Sequence, residues 1–242
     1  MTKEELYINI KKQGKELSPQ ERINLYMQGK EVDCLPYNLL SHEALAYNWG
    51  FTKGELRRSF EAKCAHLERK RNLYGETGID GSLGLRGLSE ALGSKMRYPE
   101  NSEDLVIEPI LKNYEQLDVL EEFEVRKNKF LLKKMDEMHR LIKHFPDMPI
   151  LGGVAGPIST AISIRQIELV LRDMKKRPEQ LQRLLEFCVS ANLKWVKTLN
   201  EEFGITSISI ADPATTTDIL GHKYYKEFSY PYIKKLFDGI MK

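Results

Sequence analysis

The sequence predicts an α/β protein made of TIM-barrel-type β/α repeats, about four in number, preceded by N-terminal helices. Apolar residues at helical spacing alternate along the chain with short β-branched or glycine-rich runs, the order expected of crossover helices and parallel strands. The predicted strands start near residues 34, 79, 149 and 206, and the last predicted helix ends almost at residue 242. We therefore expect one domain over residues 1–242 and an incomplete barrel, since a closed barrel has eight such repeats.

The N-terminal elements follow from two capping motifs. SPQE at residues 18–21 has a capping residue, a proline at the first helical position and a glutamate three residues on, which predicts a helix start. An apolar run over 34–40 predicts the first strand. TKGE at residues 52–55 is a second capping box, and apolar spacing extends its helix to about Tyr74. The glycine-rich segment Ile79–Leu85 predicts the second strand, because it lies between two helical patterns.

The rest of the chain repeats this alternation. We expect a short helical turn at Leu88–Leu92 and a small side hairpin formed by Lys95–Tyr98 and Leu105–Glu108. Apolar residues at helical spacing then predict helices over 130–145, 179–203 and about 222 to 240. The runs PILGGVA and TSISIA predict strands over 149–155 and 206–211.

Composition excludes several classes of function. The 37 basic and 35 acidic residues leave a net charge of +2, and the basic runs alternate with apolar residues as on solvated helix faces, so no nucleic-acid partner is expected. No apolar run approaches the roughly 20 residues of a membrane helix, and the N-terminus lacks the apolar core of a signal peptide. These features predict a cytoplasmic protein with no membrane partner.

The cysteines predict neither a disulfide framework nor a metal site. Cys34, Cys64 and Cys188 are odd in number and far apart, and no CxxC pair occurs. We interpret them as buried free thiols.

Candidate binding residues are the polar or flexible residues that follow the predicted strands, because the carboxyl ends of barrel strands form the active-site face. Asn38 and His42 follow the first strand, Arg86 the second, Gly156 the third and Asp212 the fourth. Asp212 is a candidate to bind a polar substrate or cofactor edge. Arg86 is a candidate to hold a carboxylate or phosphate through its two-pronged guanidinium.

Each candidate also has a structural interpretation. Asp212 before Pro213 is equally typical of a turn or helix cap. Asn38 and His42 are compatible with capping and with a surface histidine, and Arg86 with an ion pair. The glycine-rich stretch ending at Gly156 lacks the spacing of a phosphate loop and a following lysine, which favours close backbone packing.

Four segments together resemble the uroporphyrinogen decarboxylase superfamily, and its cobalamin-dependent methyltransferase branch in particular. They are ERINLYMQGKEVDCLPYNLL, GLSEALGSKMRYPEN, PILGGVAGPISTAISIR and ISIADPATTTDILGHKYYKEFSYPYIKKLFDGI. The last is the most specific, and the resemblance runs from Glu21 to near the end of the chain. It implies a corrinoid-dependent methyltransferase that passes a methyl group between a methyl-corrinoid, free or held on a partner corrinoid protein, and a thiol or similar acceptor.

Two departures bear on the alternative of a tetrapyrrole decarboxylase. Alignment on Glu90-Ala91-Leu92-Gly93 puts Gly84 where decarboxylases of the family carry a catalytic aspartate. The arginine-rich substrate loop of decarboxylases is replaced by SHEALAYNWG. Both departures make the decarboxylase the weaker interpretation.

A third interpretation is a catalytically inactive assembly or binding module. The resemblance implies zinc bound by an HxC pair and a later cysteine, yet none of the five histidines has such a neighbour, so the sequence supplies no metal ligands. Four repeats also leave open sheet edges, which are normally paired or covered. We therefore expect a homodimer or a complementing chain as partner.

Overall fold

The structure is a computed structural model that describes residues 17, 19–36, 42–74, 78–84, 86–148 and 150–242. These residues form two compact units. The first comprises the chain up to residue 79 with 99–103 and 141–148, and the second comprises 80–98, 104–140 and 150–242. A single domain over residues 1–242 stays a prediction.

The first unit is helical. Its helices in the described part are α1 (Pro19–Met27), α2 (His42–Asn48), α3 (Lys53–Arg58) and α4 (Phe60–Tyr74). The helix start after the SPQE serine is confirmed, although Ser18 itself lies outside the described residues. The N-cap of the second predicted capping box is confirmed, because the Thr52 side chain accepts the Glu55 N–H at 2.9 Å.

The prediction of one continuous helix from residue 53 to 74 is wrong, because the chain is extended at Ser59. Ser59 has φ −105° and ψ 118°, and its N–H donates to the Glu55 carbonyl and closes α3. Its hydroxyl then accepts the Ala62 N–H at 3.1 Å, as an N-cap of α4 does. One serine thus ends one helix and begins the next.

The predicted first strand is also wrong where it can be checked. Cys34–Pro36 form a bend and irregular chain, and 37–40 lie outside the described residues. The Cys34 N–H donates to Asp33 Oδ1 at 2.9 Å rather than to a neighbouring strand, and Pro36 has no N–H to donate.

A three-stranded sheet has the order β1-β4-β5, where β1 is Ile79–Asp80, β4 is Ile150–Ala155 and β5 is Ile208–Ala211, and its residues from Asp80 on belong to the second unit. β4 and β5 are parallel, with Ala155 opposite Ala211. The predicted hairpin is confirmed, since β2 (Lys95–Arg97) pairs antiparallel with β3 (Leu105–Glu108). The α/β class with parallel strands is therefore confirmed.

The predicted number of repeats is not reached in the described part, where the sheet has three strands. The second predicted strand is also shorter than expected and stops at Asp80. The Asp80 carboxylate accepts the Ser82 N–H at 2.9 Å, and Gly84 follows with φ +63°, so the chain turns instead of extending. Closure into a partial barrel stays a prediction.

The helices around this sheet are α5 (Gly87–Ala91), α6 (Leu117–Glu121), α7 (Lys129–His144), α8 (Pro157–Ile164), α9 (Ile167–Lys176), α10 (Pro178–Phe203), α11 (Thr217–Tyr224) and α12 (Tyr230–Ile240). The predictions of α5, α7 and α10 are confirmed, whereas the sequence did not predict α6, α8 and α9. The first twelve residues of α7 lie in the second unit, and the remainder in the first. The final helix predicted from about residue 222 to 240 is confirmed, because the backbone breaks at Gly221 (φ +69°, ψ 158°) and is then helical to Ile240, with a π-helical turn at Tyr225–Ser229.

Helix α10 forms the centre of the core of this unit. It packs against β4, α8, α9 and α12, and its apolar positions at helical spacing are buried. Cys188 on α10 and Cys64 on α4 are buried free thiols as predicted, whereas Cys34 is only partly buried. In the part of the chain that the structure describes, none of the helices has the length and apolar character needed to cross a membrane.

Candidate functional site

Asp212 and Gly156 meet at the carboxyl ends of two neighbouring parallel strands. Gly156 follows β4 directly, Asp212 follows β5 directly, and the Gly156 N–H donates to the Ala211 carbonyl at 2.8 Å. Register and strand direction therefore bring together two of the residues that the sequence singled out. This edge of the sheet is the one at which barrel enzymes of this class place their chemistry.

The Asp212 carboxylate caps the N-terminus of α8. Its Oδ1 accepts the Ser159 N–H at 2.8 Å, and its Oδ2 accepts the Ile158 N–H at 3.2 Å. Amides in the first turn of a helix have no intrahelical acceptor, and the positive end of the helix dipole favours a carboxylate there. The sequence allowed Asp212 to be a helix cap, and the structure shows that it is one. The helix that it caps is α8, which begins more than fifty residues before Asp212 in the chain.

Burial raises the pKa of the Asp212 carboxyl above its ordinary value, and hydrogen bonds from Ser159 and Ile158 oppose that rise. The side chain is only partly buried and remains next to solvent at the strand ends. A carboxylate held by two backbone donors is fixed in orientation, which suits a group that must contact a polar substrate atom.

Gly156 is required by this arrangement. A Cβ at Gly156 would overlap the side chain of Asp212, so no larger residue fits while the carboxylate stays on α8. The structure thus gives Gly156 the close-packing role, and a direct role in binding stays a prediction.

Arg86 lies in the turn before α5 with an exposed side chain. Its carbonyl accepts the Ser89 N–H at 3.0 Å. Its guanidinium has no ion pair or hydrogen bond with other described residues, so the structural ion pair considered for it is not seen there. The structure shows no hydrogen bond from Arg86 to Asp212 or Gly156.

The two earliest candidates are not part of the described site. Asn38 lies outside the described residues. His42 is the first residue of α2, and its side chain is likewise outside the description.

Sequence reasoning missed a group of polar side chains behind β4. Thr160 and Ser163 on α8 and Asn192 and Trp195 on α10 are buried. They border a small cavity that also touches β4 at Gly153–Ala155. For Thr160 and Ser163, the sequence signal was Pro157, since a proline after a strand-ending glycine is typical of the first position of a helix.

A buried ion pair holds the junction of α8 and α9. Arg165 Nη2 lies 2.7 Å from Asp173 Oδ2, both side chains are almost fully buried, and the Tyr114 hydroxyl donates to the same oxygen at 3.0 Å. Arg165 also donates to the carbonyls of Leu111 and Lys112. Burial raises the pKa of the Tyr114 hydroxyl. Arg165, one of the residues that carried the family resemblance, is therefore structural in its contacts.

The described residues do not fit a zinc site. Among them, no three or more His, Cys, Asp and Glu side chains come together as metal ligands would. His139 lies 3.0 Å from Glu202, and His144 packs against Phe60 and Phe145.

Comparison with known proteins gives consistent matches. The profile of the uroporphyrinogen decarboxylase (URO-D) family matches residues 18–242. Methylcobamide:CoM methyltransferase MtbA from Methanosarcina acetivorans is 22% identical over 231 residues, which is 93% of this chain and 67% of that protein. MtbA from Methanosarcina mazei is 23% identical over 232 residues, with the same coverage of both chains.

A solved structure matches as well. It is a methyltransferase from Methanosarcina mazei, with a TM-score of 0.71 and 20% identity, and the match covers 93% of this chain and 68% of that one. At this identity the match establishes a shared fold. The chain spans about two thirds of the length of each of these three proteins.

Proposed function

The chain belongs to the uroporphyrinogen decarboxylase family, and on that premise we propose that it acts in corrinoid-dependent methyl transfer. In the proposed reaction a methyl group moves between a methyl-corrinoid and a thiol or similar acceptor. We propose that a partner corrinoid protein presents the corrinoid and that the reaction takes place in the cytoplasm, the compartment in which three free cysteines are expected.

The observation that carries this proposal is the relationship to the two MtbA proteins, which extends over 93% of the chain. Their printed name is methylcobamide:CoM methyltransferase, so both donor and acceptor are stated for the relatives. The relationship includes the strand ends at Gly156 and Asp212, which fall within the matched length of the family profile.

The geometry supports methyl transfer over tetrapyrrole decarboxylation. Gly84, at the position aligned with the decarboxylase aspartate, has φ +63° in a turn. A side chain there would be strained, and glycine itself offers no carboxylate to pyrrole nitrogens. Asp212 is the partly buried carboxylate at the strand ends, and we propose that it contacts the acceptor or the edge of the corrinoid.

The proposed chemistry needs a thiolate acceptor, and the described residues supply no zinc ligands to produce one. Zinc bound to a thiol lowers the thiol pKa and so supplies the thiolate nucleophile. Because the described residues do not fit zinc, we assign no step to zinc on them. We propose that any zinc ligands come from a complementing segment or chain.

The sheet supports the same proposal of a complement. β5 is the last strand in the order β1-β4-β5, so one side of it carries no strand among the described residues. Along β5, Ser209 and Ala211 are exposed and Ile208 and Ile210 are half-buried. Because uncovered edges invite pairing, we propose that a second copy or a complementing chain covers β5.

A methyl-transfer assay tests the function. The protein is incubated with methylcobalamin and coenzyme M or other thiols, with and without Zn²⁺ and a corrinoid protein, and methylcobalamin absorbance and thioether formation are followed. We expect methyl loss that requires both the protein and the thiol. Cobalamin without a methyl group is the matched control. The absence of methyl transfer in every mixture would reject the proposal. Release of CO₂ in a separate incubation of the protein with uroporphyrinogen would also reject it.

A further inference from the structure

A small cavity lies between β4 and the helices that cover it. Its volume is about 10 Å³, and its wall comprises Leu83, Gly84, Leu88, Gly153, Val154, Ala155, Thr160, Ser163, Asn192 and Trp195. Both the residues of β4 on this wall and the α8 and α10 residues facing them are buried. Four of the wall residues carry polar side-chain atoms, so the cavity is not an apolar void.

Two of those polar atoms lack a hydrogen-bond partner among the described residues: Asn192 Oδ1 and Trp195 Nε1. Both residues are 0% exposed. A buried donor or acceptor with no partner costs about 1–3 kcal/mol, and native proteins satisfy nearly all such groups with protein or ordered water.

The orientation of the Asn192 amide is fixed by its other contacts. Its Nδ2 donates to the Cys188 carbonyl at 2.9 Å and to Thr160 Oγ1 at 3.1 Å. A reversed amide would place the oxygen against the Cys188 carbonyl, two acceptors facing one another. Oδ1 is therefore the free acceptor, while the Trp195 indole offers only a donor.

We propose that this cavity is an internal binding site for a single water molecule that bridges Trp195 Nε1 and Asn192 Oδ1. The water oxygen accepts the indole N–H, and one water proton is donated to the asparagine oxygen. Its second proton has hydroxyl acceptors on the wall at Thr160 and Ser163. A cavity of about this size holds one water and no larger ligand, and a buried water makes two to four such bonds.

The bound water joins α10 to α8, the helix whose first turn is capped by Asp212. Gly153–Ala155 lie on the cavity wall, and the next residue is Gly156, which packs against Asp212. A bridge at this place holds α8 and α10 together beside the end of β4, in addition to the direct hydrogen bond from Asn192 Nδ2 to Thr160 Oγ1. Buried waters of this kind behave as part of the structure.

The two tryptophans of the chain allow a direct test by NMR. Deuterated, ¹⁵N-labelled protein gives two indole N–H signals, and the variants Trp195→Phe and Trp49→Phe assign them. We expect the Trp195 indole proton to show a cross-peak to a water held long enough to tumble with the protein. A cross-peak with the sign of a bound water supports the site.

A crystal structure at high resolution supplies the second measurement, because it does not depend on any variant folding. We expect a density peak within about 2.7–3.2 Å of both Trp195 Nε1 and Asn192 Oδ1. The proposal is overturned if that position is dry in the crystal, or if the assigned Trp195 proton shows no water cross-peak.

Discussion

Asp212 accepts two hydrogen bonds from the first turn of α8 while its carboxyl stays at the ends of β4 and β5. The same side chain therefore stabilises the fold and occupies the position expected of a functional group. Asp33 and Asp173 each form an ion pair within the fold, and we expect replacement of either carboxylate to lower the stability of the protein.

Asp33 is paired with Arg22, whose Nη2 lies 2.7 Å from Asp33 Oδ2. The hydrogen bond from Arg22 lowers the pKa of Asp33 from 3.8 to about 2. The unfolded chain therefore binds a proton at this carboxyl at higher pH than the folded protein does. The stability from the pair is present above the unfolded pKa and is lost as the pH falls toward 2.

Replacing Asp33 by Asn tests this sign. We expect Asp33→Asn to lower the free energy of unfolding near pH 7, and the difference from the wild-type protein to shrink as the pH falls from about 5 to 3. Urea unfolding at several pH values measures it, with the exposed Glu31→Gln as control. A difference that stays constant over this range would contradict the assignment.

Asp173 is the buried partner of Arg165. We expect Asp173→Asn to reduce the free energy of unfolding by about 3–5 kcal/mol, because it leaves the Arg165 guanidinium buried without its counter-charge. Urea unfolding at pH 7 measures the loss. Asp118→Asn, which removes one of the two exposed partners of Arg183, is the matched control and should change stability little. If both substitutions changed the free energy of unfolding equally, the buried ion pair would contribute no more to stability than the exposed one.

The sequence located Asp212 and Gly156 because both follow strands with clear β patterns. It did not show that Asp212 contacts the start of α8, since Asp212 and Ser159 are 53 positions apart and only the parallel register of β4 and β5 brings them together. For the same reason the Arg165–Asp173–Tyr114 cluster was not predicted as a unit. Composition and periodicity report on local structure, whereas these contacts depend on how distant elements pack.

At the scale of elements, Ser59 separates two helices that apolar periodicity joined. The apolar spacing continues across Ser59, so the pattern alone cannot show the break. The backbone there is held by one bond that ends α3 and one that begins α4. A capping residue inside a periodic pattern is thus the local signal of the break.

Removing this cap gives a prediction for the element. We expect Ser59→Ala to cost about 1 kcal/mol, because the Ala62 N–H loses its acceptor at the start of α4. Urea unfolding of the variant measures the cost. The control is Ser102→Ala, an exposed serine of the same unit. A loss no larger than that of the control would show that the Ser59 hydroxyl does not cap α4.

Strands were predicted well where an apolar run is continuous, as in β4 and β5, and poorly where polar residues, glycine or proline interrupt it. β4 and β5 lie within one or two residues of their predicted bounds, whereas β1 is limited to Ile79–Asp80. Before Pro36, the Cys34 N–H donates to the Asp33 side chain instead of to a strand. At Gly84 the backbone adopts a left-handed turn. Propensity cannot decide such segments, because tertiary pairing determines whether they extend.

At the scale of the whole molecule, the open side of β5 predicts association. We expect light scattering of the purified protein to give a mass well above the 28.1 kDa of one chain, or to do so once a complementing chain is added. The comparison variant is Ile210→Pro, which removes an N–H on the open side of β5 and should weaken pairing there. A monodisperse species of 28.1 kDa under all conditions would contradict this expectation.

The central claim is that this chain takes part in corrinoid-dependent methyl transfer at the strand ends occupied by Asp212. The most direct measurement is the rate of protein-dependent methyl transfer from methylcobalamin to a thiol, compared among the wild-type protein, Asp212→Asn and the exposed control Asp218→Asn. We predict transfer by the wild-type protein and the control, and a rate about tenfold or more lower for Asp212→Asn in a variant whose circular dichroism is unchanged. Wild-type protein that adds nothing to the rate of methylcobalamin and thiol alone would contradict the claim.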